Sequence, residues 1–551
     1  MKKNDIIHLT IEDISTNGEG IGKYNGMPFF VPQAVIGDRI MAGITKLKKH
    51  YGYARLISVE EASLDRVTPC CMVAAKCGGC SLMNLSYEKQ LAWKERVCDN
   101  ALLRIGGIAH EALMKAKEPI VGMEEPYHFR NKSQYPVGRD RDGHVVIGFY
   151  AMRSHRIIPL VSEADIQNDI VFSSGKKRVD KKNKEVKSWE ITCDTDSEAA
   201  GCRIAQKDDR NILLVILSFI LKNHVSVYDE VSGKGMIRHI LIRHGLSTGE
   251  VMVCLVLNGN HLPHQEELIG ALRGRFGICS LVVNVNTRRD NVILGDHTFV
   301  LWGRNVIRDR LLGHTFDISA KSFYQVNPVQ TEKLYRKAIE YAKLTGRETV
   351  WDLYCGIGTI SLCMAGAAEK VIGIEVVPEA VRDAGKNAGQ NGITNVEFIQ
   401  GKAEDLLDEV LSAHGKPDVV IVDPPRKGLD EEAIRVILKA APGRLIYVSC
   451  NPATLARDIK LLEGYALKKY TAFDQFCHSG HVEACCLLTK TSRAQSEFTA
   501  AAVPASAKHE SGTSDDLFER VSNRKADAKV HIDVDLEDYY RIKDAQGKDG
   551  K

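Results

Sequence analysis

The sequence predicts an α/β protein. A C-terminal Rossmann-like domain follows an OB-like N-terminal β-barrel and a central α+β segment. Short apolar runs at 350–353, 370–374, 396–399, 419–422 and 445–448 are separated by helical lengths, the rhythm of a doubly wound parallel sheet. Residues 6–11 alternate, and Gly18-Glu19-Gly20-Ile21-Gly22 is a glycine-rich turn, as in a small all-β module. At 551 residues the chain exceeds one typical domain.

Taken in order, 1–60 reads as the barrel. Lys46, Lys48, Lys49, His50, Tyr51, Tyr53 and Arg55 interleave cations with rings, a surface suited to phosphates and bases. Taken alone, the same residues also describe a solvated edge strand. Residues 61–327 form the central segment. It opens with a cysteine cluster, then a helix from Ser86 with apolar positions at helical spacing. Residues 120–320 hold no single period, and 171–210 is a polar, lysine-rich insertion. Residues 328–490 form the Rossmann-like domain, beginning with an amphipathic helix at 331–344. The tail, 491–551, is rich in Ala, Ser, Lys and Asp and is expected to be disordered, with at most a short strand at 530–534.

Composition narrows the function classes. No apolar run is long enough to span a bilayer, and Met-Lys-Lys-Asn-Asp leads straight into the alternating pattern. A cytoplasmic protein with no membrane partner is expected. The net charge is only +3, so nucleic acid must be met through local patches. Fifteen cysteines in so long a chain without an export signal must divide among metal binding, catalysis and burial.

Trp351-Asp352-Leu353-Tyr354-Cys355-Gly356-Ile357-Gly358 is a strand running into a glycine loop, and Glu375 ends the next strand. A carboxylate there can hold both hydroxyls of a ribose. Ser361 stands where a dinucleotide fingerprint has its third glycine or alanine, and the loop has no P-loop lysine. S-adenosylmethionine, with a ribose and adenine but no pyrophosphate, fits better.

Cys450 follows the apolar strand at 445–448, where open α/β sheets place their chemistry. Uracil C5 becomes nucleophilic when a thiolate adds to C6. A base must then remove the C5 proton. Cys450 and Glu483 supply thiol and base, with Asp423 and Arg426 on the preceding strand-end loop. Against this stand a structural thiol and a surface acid. Asp423 in place of the asparagine of an Asn-Pro-Pro-Tyr amino-methylating site points to carbon methylation.

These motifs, with Phe323-Tyr324-Gln325-Val326-Asn327-Pro328, Asp423-Pro424-Pro425-Arg426, Ser449-Cys450-Asn451-Pro452 and Gly480-His481-Val482-Glu483, occur in an order that resembles the RNA uracil-5-methyltransferases, particularly the bacterial 23S rRNA branch. The resemblance covers about residues 1–490. It implies that Gln325, Tyr354, Glu375 and Asp423 contact S-adenosylmethionine, that Cys450 is the nucleophile and Glu483 the base, and that the barrel is an RNA-binding TRAM domain. It implies 23S rRNA as partner. The competing readings are tRNA uridine-54 methylation and a non-catalytic RNA-binding or ribosome-assembly factor.

Cys71, Cys77 and Cys80 give C-x5-C-G-G-C. By spacing alone, zinc and an iron–sulfur cluster fit equally. The resemblance implies a [4Fe-4S] cluster whose fourth cysteine follows a His-Arg-Ile-Ile strand. Here His155-Arg156-Ile157-Ile158 is followed by Ser162-Glu163-Ala164-Asp165-Ile166-Gln167, without cysteine. Cys70, Cys193, Cys202 and Asp165 remain open as the fourth ligand.

Overall fold

The computed structural model describes residues 1–491 apart from 153, 170, 175–177, 180–184, 187, 188 and 193–200. Cys193, residues 175–177, 180–184, 187, 188 and 193–200 of the insertion expected at 171–210, and all but the first residue of the 491–551 tail, with its 530–534 strand, lie outside the described residues.

Strands Ile6–Ile14, Gly20–Tyr24, Met27–Val31, Arg39–Leu47 and Gly52–Glu61 close into a barrel. Alternation along the first turns Ile7, Leu9 and Ile11 inward against Phe29, Ile40 and Ile44. On its outside, the Phe30, Tyr51 and Tyr53 rings cluster with centroids 5.6–5.8 Å apart, beside exposed Lys46, Lys48, Lys49 and Arg55.

A seven-stranded sheet runs His297–Gly303, Ile278–Val285, Glu250–Leu257, Ile237–Gly245, Lys132–Arg139, Val145–Tyr150, Ile157–Ser162. Helices Asp209–Lys222 and Gln265–Leu272 cover one face. Leu241, Met252, Cys254 and Val282 on the other face join the core beneath the C-terminal sheet. In the seven-stranded sheet, strands Ile237–Gly245, Glu250–Leu257 and Ile278–Val285 are buried on both faces, which is why they show no clean alternation.

The C-terminal sheet has eight strands, in the order Val396–Gln400, Lys370–Glu375, Thr349–Leu353, Val419–Val422, Arg444–Ser449, Glu483–Lys490, Tyr465–Phe473, Lys117–Val121. The first five are parallel, and strand order reverses at Thr349–Leu353. Such a reversal opens a crevice at the strands' carboxyl ends. Glu483–Lys490 is antiparallel to both neighbours. The edge strand Lys117–Val121 comes from far earlier in the chain. With it comes helix Tyr87–Arg104, whose Cys98, Ala101 and Leu102 enter the C-terminal core. Helix Pro328–Ala342 starts on Asn327, which accepts from the Gln330 amide, and on Pro328. Among the described residues no helix is long and apolar enough to cross a membrane.

Candidate active site

The cofactor end is built on the strand reversal. Tyr354, Gly356 and Gly358 all take positive φ (72°, 56° and 81°), folding the loop back before helix Thr359–Ala365. Tyr354 holds this conformation despite its side chain, a strain that collects at functional sites. A Cβ on Gly358 would lie 2.7 Å from the Phe398 ring. Glu375 is 4% exposed and accepts from the Gly356 amide at 3.1 Å and the Val377 amide at 2.9 Å. Gln325 donates to Asp423 at 3.4 Å. The Gln325 carbonyl accepts from Asn131 Nδ2 at 2.9 Å, which ties residue 325 to the start of strand Lys132–Arg139. Gln325, Tyr354, Glu375 and Asp423 are thus placed on the loops and strand ends around one crevice.

Asp352 lies beneath the loop. Its Oδ2 accepts from the Ser361 hydroxyl at 2.5 Å, and its buried Oδ1 has no hydrogen-bond partner. Burial pushes its carboxyl up to about 7; the Ser361 hydrogen bonds oppose this and the Asp423 and Glu375 charges add to it.

Cys450 and Glu483 come from neighbouring antiparallel strands. Tyr447 pairs with Cys486, Val448 with Cys485 and Ser449 with Ala484. Cys450 directly follows Ser449, and Glu483 directly precedes Ala484, so both residues adjoin the last pair of this register. Cys450 is half-buried and Glu483 is 2% exposed. Cys450 precedes Asn451, which caps helix Pro452–Leu461 by accepting from the Ala453 amide. The amides of a helix start favour negative charge. Asn451 Nδ2 donates to the Arg426 carbonyl at 3.1 Å, fastening the Asp423–Arg426 loop beside Cys450. Burial holds His481 down at about 4, with the Arg426, Lys94 and Arg130 cations acting the same way, so it is neutral at physiological pH.

The cysteine loop gains a fourth thiol. Burial and then the Cys202, Cys77 and Cys71 sulfurs push Cys80 well up. Burial raises Cys202 to about 11, with the Ile204 and Ala205 amides opposing and Cys77 and Cys71 adding. Cys80 and Cys202 also pack on one apolar cluster with Met123, Phe129 and Cys477. The other candidates are engaged elsewhere. Asp165 accepts from Arg210 at 2.9 Å and from the Ser162 amide and hydroxyl at 2.7 and 2.9 Å. Cys70 is exposed and interacts with Tyr127. A tetrahedral zinc, about 2.3 Å from each sulfur, would draw its ligands to about 3.8 Å from one another. Among the described residues no three cysteine sulfurs lie within 4.8 Å of one another.

The residues that sequence reading missed are Asn131, Asp352 and the buried pair Lys94 and Asp474. Cys202 stood open among four candidates.

A glycine loop at a strand reversal, with a buried carboxylate ending the next strand, suits a cofactor that carries a ribose, as S-adenosylmethionine-dependent methyltransferases use. The family described as tRNA (Uracil-5-)-methyltransferase matches residues 244–491, and the TRAM domain matches 2–57. An uncharacterised RNA methyltransferase of Listeria innocua is 43% identical, over 89% of this chain and 98% of its own. Another, of Clostridium tetani, is 42% identical over 89% and 97%. The crystal structure of the Pyrococcus abyssi tRNA (uracil-54, C5)-methyltransferase with S-adenosyl-L-homocysteine superposes with a TM-score of 0.64 at 25% identity, covering 88% of this chain and 100% of that one. The chain belongs to the RNA uracil-5-methyltransferase family.

Proposed function

We propose that the enzyme methylates C5 of a uridine in 23S rRNA, through a covalent bond between Cys450 and C6 of the base. The observation that supports this reading is that Cys450 and Glu483 each adjoin the Ser449–Ala484 pair of two neighbouring strands, beside the Asp423–Arg426 loop. S-adenosylmethionine supplies an electrophilic methyl on its sulfonium. Gln325, Tyr354, Glu375 and Asp423 hold it, Glu375 at the ribose. The Cys450 thiolate adds to C6, and the electron pair of the C5–C6 double bond becomes available at C5 to take the methyl. Glu483 accepts the C5 proton, the double bond re-forms and the thiolate leaves. The net products are 5-methyluridine, S-adenosylhomocysteine and one proton. Arg426 faces charge developing on the pyrimidine carbonyl. The target base is flipped out of its stack to reach the crevice.

The same reading gives Cys71, Cys77, Cys80 and Cys202, whose sulfurs act on one another electrostatically, to a [4Fe-4S] cluster. Such a cluster cross-links the cysteine loop to the segment around Cys202; methyl transfer needs no redox step. Absorbance near 400 nm after reconstitution with iron and sulfide supports it, and a colourless zinc protein rejects it. A cytoplasmic enzyme fits this substrate.

A second reading, uridine-54 of tRNA, is favoured by the Pyrococcus abyssi enzyme, whose match spans 88% of this chain. Mapping 5-methyluridine separately in rRNA and tRNA, from cells with and without the gene, chooses between them. Labelled S-adenosylmethionine with Cys450→Ala tests the mechanism, and unchanged methylation rules it out. RNA containing 5-fluorouridine cannot lose its C5 substituent as a proton, so the wild type should accumulate a covalent adduct on it. No methylation of any RNA by the wild type favours a binding factor.

A further inference from the structure

We propose that Lys94 is a positioning residue for the base Glu483. The inference rests on the reading of Glu483 as the base. Residues 474–482 connect strand Tyr465–Phe473 to strand Glu483–Lys490, and Phe473 pairs with Glu483. The loop is therefore closed at its foot, and whatever fixes its first residues also fixes the backbone that carries Glu483.

Lys94 reaches into this loop from helix Tyr87–Arg104. Its ammonium meets Asp474 Oδ1 at 2.5 Å and donates to the Phe476 carbonyl at 2.9 Å, and both charged side chains are 0% exposed. The other Asp474 oxygen accepts from the Tyr87 hydroxyl at 2.7 Å, and that hydroxyl accepts from the Met123 amide at 2.9 Å. The Asp474 amide donates to the Val121 carbonyl at 3.0 Å. Gln330 Nε2 spans the Val121 and Asp474 carbonyls.

Further along the loop, His478 sits at φ 64° with its ring stacked on Tyr127 at 4.8 Å. Its carbonyl accepts from the Leu82 amide at 2.9 Å, and its Nδ1 lies 3.3 Å from Gln90 Nε2. At Gly480 a Cβ would come within 2.3 Å of the Thr16 carbonyl, so the barrel turn presses directly on the loop.

A fully buried ion pair is a poor source of stability, because desolvation offsets its attraction and an apolar pair of the same shape often serves as well. What this pair supplies is direction. One ammonium holds two points of the loop, and a non-glycine residue is kept in the left-handed region a few residues before Glu483.

The chemistry offers a readout that a simple structural staple would leave unmoved. Glu483 acts last, so an enzyme with a misplaced base still bonds to C6 and transfers the methyl but cannot eliminate. Methylated RNA then stays attached to Cys450. The experiment incubates full-length enzyme with methyl-labelled S-adenosylmethionine and total RNA from cells lacking the gene. It measures labelled RNA that stays with the protein through denaturing electrophoresis. The variants are Glu483→Gln and the double variant Lys94→Met with Asp474→Asn, which removes both charges at nearly constant shape.

Both are expected to accumulate adduct on ordinary uridine RNA, with turnover down about 10²-fold, the scale of an ångström of misplacement. Affinity for S-adenosylhomocysteine should be unchanged. Adduct in Glu483→Gln but not in the double variant overturns the inference alone. Adduct in neither overturns the assignment of Glu483, and the inference with it. If the double variant fails to fold, Tyr87→Phe loosens Asp474 by one hydrogen bond; absence of adduct there also overturns the inference.

Discussion

Asp352→Asn should stabilise the enzyme in a way that grows with pH. Burial holds the Asp352 carboxyl at about 7 in the fold, against the ordinary 3.8 of an aspartate in the unfolded chain. Between those values the unfolded state has released a proton that the folded state keeps. Stability therefore falls as pH rises from the unfolded to the folded value, at about 1.4 kcal/mol per pH unit. The full cost above pH 7 is about 4 kcal/mol, of which about 1.5 is already present at pH 5. Asparagine keeps an acceptor for Ser361 and carries no charge. The variant's advantage over wild type should widen by about 2–3 kcal/mol between pH 5 and pH 8. His478 and His481, held down at about 4 by burial, act in the opposite sense: their contribution is present above about 6.5 and lost as pH falls toward 4. They are common to both proteins and cancel in the difference. Urea unfolding of both at pH 5, 6, 7 and 8 measures it. Parallel stability curves for the two proteins would refute the reasoning and return Asp352 to the ordinary carboxylate range.

Glu375→Gln places an amide group against the Gly356 and Val377 amides and removes the charge that the proposed function assigns to the ribose. The calorimetric Kd for S-adenosylmethionine should rise about 10- to 100-fold, the scale of a charged hydrogen bond. Gly480→Ala drives a Cβ toward the Thr16 carbonyl and should destabilise the protein by about 1–3 kcal/mol in thermal or urea unfolding, with a slower methylation rate in parallel. Cys202→Ser should lose the absorbance near 400 nm and most of the bound iron after reconstitution, whereas Cys70→Ser should keep both; equal loss in the two would remove Cys202 from the ligand set.

The parallel strands are legible in the sequence because each is short, apolar and bounded by turns; Val419–Val422 has no polar residue at all. Cys450 and Glu483 are legible because each sits at one end of such a run. Lys117–Val121 is not, because Lys, Glu and Pro in a short edge strand carry no period, and its pairing depends on backbone far away. Lys94 is also hidden: a lysine in an amphipathic helix reads as solvent-facing until its partner, 380 residues on, is in place. Cys202 falls after a polar stretch, and only folding brings it to Cys80. Asn131 acts through a backbone carbonyl, which leaves no mark on residue type.

The 380 residues between Lys94 and Asp474 also set a timetable. At about 5–20 residues per second, a ribosome needs about 20–80 s to make the second after the first. Throughout that interval the Tyr87–Arg104 helix lacks its counter-ion and the Lys117–Val121 strand lacks its neighbour. The sheet that receives both is finished only by the last described strand. Translation therefore has to pass residue 490 before the sheet and the 474–482 loop can be complete. A chain that ends before residue 465 leaves Lys94 without its carboxylate and strand Lys117–Val121 without its neighbour.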